Sequence, residues 1–481
     1  MKLKYILLGL ITVSLFSCKP EMKDGFEPSN GSADFSKYVA LGNSLTAGYA
    51  DGALYHSAQQ TSYVSLIADK LKEIGGGDFI QPVVNSERGV LPGKLQLAVI
   101  NDNLAPVPVT EGELEGFYPP IGYSVDNLGV PGAKVGHLLA PGYGNMENLA
   151  AGLANPYFIR FASSPDISVI EQALALHPTF FSLWIGNNDV LGYAANGGVG
   201  VITPSSDFET YYNGLTHYLQ SSGAKGVLAS IPSVSGTAFF NTVPANALVI
   251  DAPTAALLNG GIALVEDKVN AILAAIGQTY SYHIHFEAGA NGFLIEDNNF
   301  PYKDLFNAIA DTSTDIATKI FLHQAQFRQI NVEAGELLTL KTPQDSLAIG
   351  MGSFLEIMPG VKVPFGIPNK YVLDVDELAN IDAAIDNFNT IIKNIAEQYD
   401  WAYADINKEF DEAKDGVIID GIEISAKYVS GGIFSLDGIH LTPRGNAVVA
   451  NYFIKAINKK YASNISTINI SSYPGVHFPN D

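Results

Sequence analysis

The run Thr179 to Ile185, TFFSLWI, is almost wholly apolar and stops at Gly186. A strand with one wet face alternates polar and apolar residues. One covered on both faces does not, so this run predicts a strand of a parallel sheet sandwiched between helices. The same punctuation recurs along the chain. Tyr38 to Leu41 stops at Gly42, Val125 to Leu128 stops at Gly129, Gly226 to Ile231 follows a helical stripe, and Trp401 to Ile406 reads as the last strand.

Between these runs the apolar period changes from two to 3.6. Ala58 to Ile74 carries Tyr63, Leu66, Ile67, Leu71 and Ile74 at helical spacing, closed by Gly75 to Gly77. A second helix runs through Ile167, Ile170, Ala173 and Leu174. Asp207 to Ser221 aligns Phe208, Tyr211, Tyr212, Leu215, Tyr218 and Leu219 on one stripe, which reads as core. Leu378 to Tyr399 is the most regular helix, and Thr442 caps and Pro443 opens a terminal one through Ile457. Alternating strands and helices predict an α/β core with a parallel sheet of about five strands.

Two stretches break the rhythm. Residues 75–123 are dense in Pro, Gly and Asn and read as an insertion over the sheet edge. Residues 236–371 include a helix from Ala255 to Ile276 and are too long for a structureless loop, so they predict an inserted subdomain or lid. The core is then 37–235 and 372–465, with 466–481 as a C-terminal tail.

At the amino terminus, Lys2 and Lys4 precede an apolar run from Tyr5 to Phe16, too short to span a bilayer, so residues 1–17 read as a signal peptide. The segment ending at Cys18 resembles a bacterial lipobox, with Phe16 bulkier than its usual occupant. That resemblance implies a lipid-modified Cys18, a membrane partner through it, and a place in the cell envelope at the outer membrane, while the acidic leader after Cys18 resembles the surface-export leaders of some Bacteroidetes lipoproteins, which implies exposure on the surface. Residues 18–36, rich in Pro, Gly, Ser and acids, read as the linker from lipid to domain. Cys18 is the single cysteine, so no intramolecular disulfide can form. The formal charge of -22 repels nucleic acid, which excludes DNA and RNA as partners, and 47% hydrophobic against 16% charged residues excludes a disordered chain.

Ser44, in GNSLT, stands where the first strand turns into a helix, at the carboxyl edge where open α/β sheets bind ligands. Three later segments accompany it: VDNLGVPG at Val125–Gly132, SLWIGNND at Ser182–Asp189, and DGIHLTPRG at Asp437–Gly445. In order, these resemble the four sequence blocks of the SGNH, or GDSL, hydrolases. The resemblance covers most of the chain and implies a flavodoxin-like three-layer α/β/α sandwich. It implies Ser44 as nucleophile, His440 as base and Asp437 as its partner, and an oxyanion hole of Ser44, Gly129 and Asn188. Asn43 stands where the family usually has Asp.

The residue types suit that chemistry independently. An ester needs a nucleophile, a base and donors for the oxygen that becomes anionic. GNSLT lacks the second glycine of a G-x-S-x-G elbow, which argues against an ordinary α/β-hydrolase. Glu296 to Asn299 lacks EF-hand spacing and reads as a turn, and His283 and His285 read as strand residues without metal spacing. No metal or cofactor is expected. The expected function is an esterase or lipase acting on an acyl-ester substrate, either a lipid or an acetylated glycan. A carbohydrate O-acetyl esterase of the same fold, or a non-catalytic surface protein binding glycan or lipid, are the alternatives the sequence leaves open, together with oligomeric state.

Overall fold

The computed structural model describes residues 27–281, 284–358 and 361–479. The expected signal peptide, Cys18 and His283 lie outside these residues. Five strands form the central sheet: β1 (Tyr38–Gly42), β2 (Asn127–Gly129), β3 (Phe180–Trp184), β4 (Lys225–Ala229) and β5 (Ala402–Ala404). All their pairings are parallel, in the order β5-β4-β3-β1-β2. This is the flavodoxin-like order, whose direction of winding reverses between β1 and β3.

Strand pleating sorts the side chains into two cores. Val39, Leu41, Phe181, Leu183 and Leu228 face one side, where α3 (Val169–Ala175), α5 (Ser205–Ser221) and α6 (Val375–Gln398) cover them. Tyr38, Ala40, Phe180, Trp184, Val227 and Ala402 face the other, beneath α2 (Tyr63–Lys72) and α8 (Pro443–Tyr461). Three short helices sit at the carboxyl edge: α1 (Ser44–Ala47), α4 (Asn187–Ala194) and α7 (Ile406–Ala413). Local chemistry fixes the long helices. Asp374 and Glu377 close a reciprocal capping box on α6 at 2.8 and 2.9 Å, and the Thr442 hydroxyl accepts from the Gly445 amide at 3.0 Å to start α8.

The α/β class and the three layers match the expectation, but several local readings need correction. The expected helix Ala58–Ile74 is two, His56–Gln60 and α2, because Ser62 caps a new start. Tyr211 and Tyr218 are 40% and 46% exposed, so only Phe208, Tyr212, Leu215 and Leu219 of that stripe are core. Trp401–Ile406 is not one strand, since Asp405 caps α7 and ends β5 at Ala404. His285 lies in irregular chain, not in a strand. The reading of residues up to Ser36 as a linker stops too late: Ala33 and Phe35 are buried, and Phe35 packs edge-on against Phe180 at 4.8 Å. The tail likewise buries Ile468 and Ile470 on the core beneath α8.

The 75–123 insertion contains an antiparallel hairpin, Leu95–Ile100 with Asn103–Pro108. Within 236–371, short antiparallel pairs and the helices Ala252–Ala274, Lys303–Thr312 and Ile316–Gln324 build apolar clusters of their own. Among the described residues, no helix is long and apolar enough to cross a membrane.

Candidate active site

The reversal between β1 and β3 leaves a crevice, and the chain fills it with polar side chains from both strand ends. After β1, Asn43 caps α1: its Oδ1 accepts from the Leu45 amide at 3.0 Å while its Nδ2 donates to Asn187 Oδ1 at 3.0 Å. The second bond uses a donor that a carboxylate would lack, so this Asn couples the two strand ends directly. Ser44 is the first residue of α1, and its own amide makes no hydrogen bond within the described protein.

The loop before α8 brings in Asp437 and His440. Phe434 and Leu441 bridge at its base, Ser435 N donates to His440 O at 2.8 Å, and Gly438 N donates to Ser435 O at 2.9 Å. Asp437 organises the interior of this turn. Its Oδ1 accepts from the amides of Ile439 and His440 at 2.9 and 2.8 Å, and its Oδ2 faces His440 Nδ1 at 2.9 Å. His440 Nε2 lies 2.8 Å from Ser44 Oγ. With Nδ1–H given to the carboxylate, Nε2 is left to accept from the serine hydroxyl. The Asp437 carboxyl is held well below the usual range: burial alone would raise it, but attraction to the imidazolium form of His440 and the hydrogen bonds from His440 and Ile439 outweigh burial.

Two residues that sequence reasoning missed support this carboxylate. Gly52 N donates to Asp437 Oδ2 at 2.9 Å, the fourth hydrogen bond to that group. Asp51 clamps the same loop, its Oδ1 accepting from Leu436 N at 2.9 Å, its amide donating to Ser435 Oγ at 2.9 Å, and its Oδ2 accepting from Tyr55 Oη at 2.6 Å. Burial raises the Asp51 carboxyl, against the pull of those bonds. The insertion holds this loop in turn, through Leu95 N to Asp51 O at 2.8 Å. The Asp51-Gly52 dipeptide, a turn signature just behind the serine helix, was the available clue. Tyr49 completes the wall, its ring 4.6 Å from that of His440. The 236–371 subdomain also reaches the loop: Phe239 N donates to Gly438 O at 2.9 Å.

The expected oxyanion donors divide. Asn188, in the first turn of α4, gives one Nδ2–H to Ala133 O at 2.9 Å and keeps the other. Gly129 needs correction, because its amide is already bonded to Asn127 Oδ1 at 2.9 Å. A Cβ there would lie 2.3 Å from Ala47 N, so its missing side chain serves the packing of β2 on α1. Gly132 is the glycine of this segment whose amide is free. It follows Pro131 in a turn closed by Ala133 N to Val130 O at 3.0 Å, its φ is +80°, and its amide has no partner among the described residues. Asn188 holds the next residue, and Asp189 Oδ2 accepts from Val135 N at 3.0 Å, so this turn is tied to α4 at two points.

Ser44, His440, Asn187 and Asn188 open on a narrow pocket floored by Trp184. Among the described residues, no group of three His, Cys, Asp or Glu is placed to hold a metal ion.

No family model and no curated protein matches this sequence. Among solved structures, a candidate GDSL-like lipase from Parabacteroides merdae aligns at 11% identity over 90% of this chain and 99% of that one, with a TM-score of 0.32. A likeness that slight carries no weight on chemistry, which rests on the geometry alone.

Proposed function

We propose that the chain is a serine ester hydrolase of the SGNH, or GDSL, type, with Ser44 as nucleophile, His440 as base and Asp437 as the carboxylate that orients and stabilises the imidazole. The observation that carries this reading is the continuous relay from Ser44 Oγ to His440 Nε2 at 2.8 Å and from His440 Nδ1 to Asp437 Oδ2 at 2.9 Å, opening on a pocket.

Ser44 Oγ attacks the ester carbonyl as its proton passes to Nε2, and Asp437 remains ionised beside the imidazolium. The negative oxygen is met by the free amide of Ser44, the second Nδ2–H of Asn188 and the unpaired amide of Gly132. One such donor is worth about two to three orders of magnitude in rate. Collapse expels the alcohol, which takes the proton from Nε2. Water, deprotonated by the same nitrogen, then releases the acid and restores Ser44.

The test is a fluorophosphonate probe on the wild type and Ser44→Ala, with the labelled peptide identified. Labelling of the Ser44 peptide, lost in the variant, supports the reading. An unlabelled wild type refutes it and favours a binding protein instead. We also propose attachment to the bacterial envelope through a lipidated Cys18, where more than one acyl chain gives stable anchoring. Detergent-phase partitioning of the expressed chain should be lost in Cys18→Ser.

A further inference from the structure

Resting on that reading of Ser44, the pocket dimensions point to a substrate class. The space beside the hydroxyl is a slot of about 40 Å³. Each water-sized group occupies roughly 10–15 Å³ of such space, so the slot seats about three non-hydrogen atoms. Its floor is fixed. Trp184 is fully buried, its indole N–H is bonded to Ser230 O at 3.0 Å, and its ring is held edge-on by Tyr63 and Phe453 at 5.3 and 5.9 Å. Swinging it aside to admit a long chain would break that bond and open a hole in the second core.

The slot shares Ser233, Phe410 and Phe434 with a far larger cleft of about 650 Å³. The two rings meet edge-on at 6.2 Å and stand between the spaces. Beyond them the lining is mixed: Asp382, Asp411, Asp415, Lys414 and Lys427 line the cleft with Tyr428, beside Leu337, Leu378 and Ile433. The Tyr428 hydroxyl is bonded to Leu436 O at 2.6 Å, which fixes that ring to the Asp437 loop. Carboxylates and ammonium groups interleaved with aromatic rings suit a molecule with many hydroxyls and apolar C–H faces. They are a poor bed for an alkyl chain: Lys414 and Asp411 pair with each other at 2.7 Å, and an alkyl chain would displace water from the remaining charges without offering a hydrogen bond in return.

We infer that the slot takes the acyl chain beyond the ester carbonyl, up to three carbons, and the cleft takes the alcohol, so that the substrate is a short-chain acyl ester, acetyl to butyryl, of a carbohydrate. In the reaction the Ser44 Oγ–acyl carbon bond forms and the acyl carbon–sugar oxygen bond breaks, with the proton from His440 going to the sugar oxygen. Water then takes the acyl group from Ser44, giving the short carboxylic acid and the free sugar hydroxyl.

The experiment uses the full chain and nitrophenyl acetate, butyrate, octanoate and palmitate. kcat/KM should fall more than 100-fold between butyrate and octanoate, and Phe410→Ala, which opens the slot into the cleft, should narrow that gap at least tenfold. Acetylated xylotriose probes the cleft. Asp411→Ala with Lys427→Ala should lower the ratio of its kcat/KM to that of nitrophenyl acetate about tenfold. Turnover that favours octanoate or palmitate, or an unchanged ratio in the cleft variant, overturns this inference and leaves the hydrolase reading standing. No turnover of any ester, with Ser44 unlabelled, overturns both.

Discussion

Replacing Asp437 by Asn changes one atom in a group that makes four hydrogen bonds. Oδ1 faces two backbone donors, the amides of Ile439 and His440, so the Asn oxygen is retained there and the turn keeps its shape. The new NH₂ then stands in the place of Oδ2, facing Gly52 N–H at 2.9 Å and His440 Nδ1 at 2.9 Å. Donor now meets donor at Gly52, and Nδ1 must become the acceptor. The ring proton moves to Nε2, 2.8 Å from Ser44 Oγ, where it opposes proton removal from the serine. The expected loss in kcat is on the order of 10⁴, about 5.4 kcal/mol of transition-state stabilisation, because the base is present in the wrong tautomer. KM for nitrophenyl acetate should change less than threefold, since no atom that touches substrate is altered. Steady-state kinetics on purified wild type and variant, with circular dichroism to establish equal folding, measures both. A folded Asp437→Asn enzyme retaining more than a tenth of wild-type kcat would refute the orientation argument and with it the assignment of Asp437.

The same carboxylate predicts a pH effect on stability. Its folded-state pKa lies below its unfolded value of roughly 3.9, so its contribution is full above that pH and is lost as pH falls through the folded value. The denaturation free-energy difference between wild type and Asp437→Asn should therefore be at its full value above about pH 4 and shrink below it. Asp51→Ala strands the Leu436 amide and the Tyr55 hydroxyl, at a cost of about 1–3 kcal/mol in urea unfolding for each group left buried. Its kcat should drop about tenfold as the Asp437 loop loosens, with KM nearly constant. Gly129→Ala drives a Cβ into the α1 backbone and should cost more in thermal stability than Gly132→Ala, whose Cβ meets only Asn155 Nδ2 at 3.9 Å but which strains a φ of +80° by about 1–2 kcal/mol. The opposite ranking by thermal shift would reverse the reading of the two glycines.

What was legible in the sequence follows from locality. The sheet declared itself because strands buried on both faces need apolar residues throughout, as in Phe180–Trp184, and glycines stop them at the carboxyl edge. Ser44 and the Asp437–His440 pair were legible because each sits in a short segment whose neighbours set its position. The hairpin Leu95–Pro108 was not, since its strands are mostly exposed and include Pro106 and Pro108, so no alternation marks them. Asp51 was hidden for a different reason: its partner Leu436 lies 385 residues away, and nothing in Ala-Asp-Gly announces that contact. Gly129 and Gly132 look alike in VDNLGVPG. Only the hydrogen bond that Gly129 N donates to Asn127 Oδ1 distinguishes the occupied amide from the free one.

The leading described residues dock at the end of the fold remote from the triad. Ser32 N donates to Tyr461 O at 2.8 Å and Ser29 bridges Asn464, so the incoming chain meets the far terminus of α8. The near terminus of that helix adjoins His440, and its 19 residues span about 28 Å. Ser29 and Ser32 thus lie at the end of α8 away from His440, so a residue attached there sits about one helix length from the catalytic mouth.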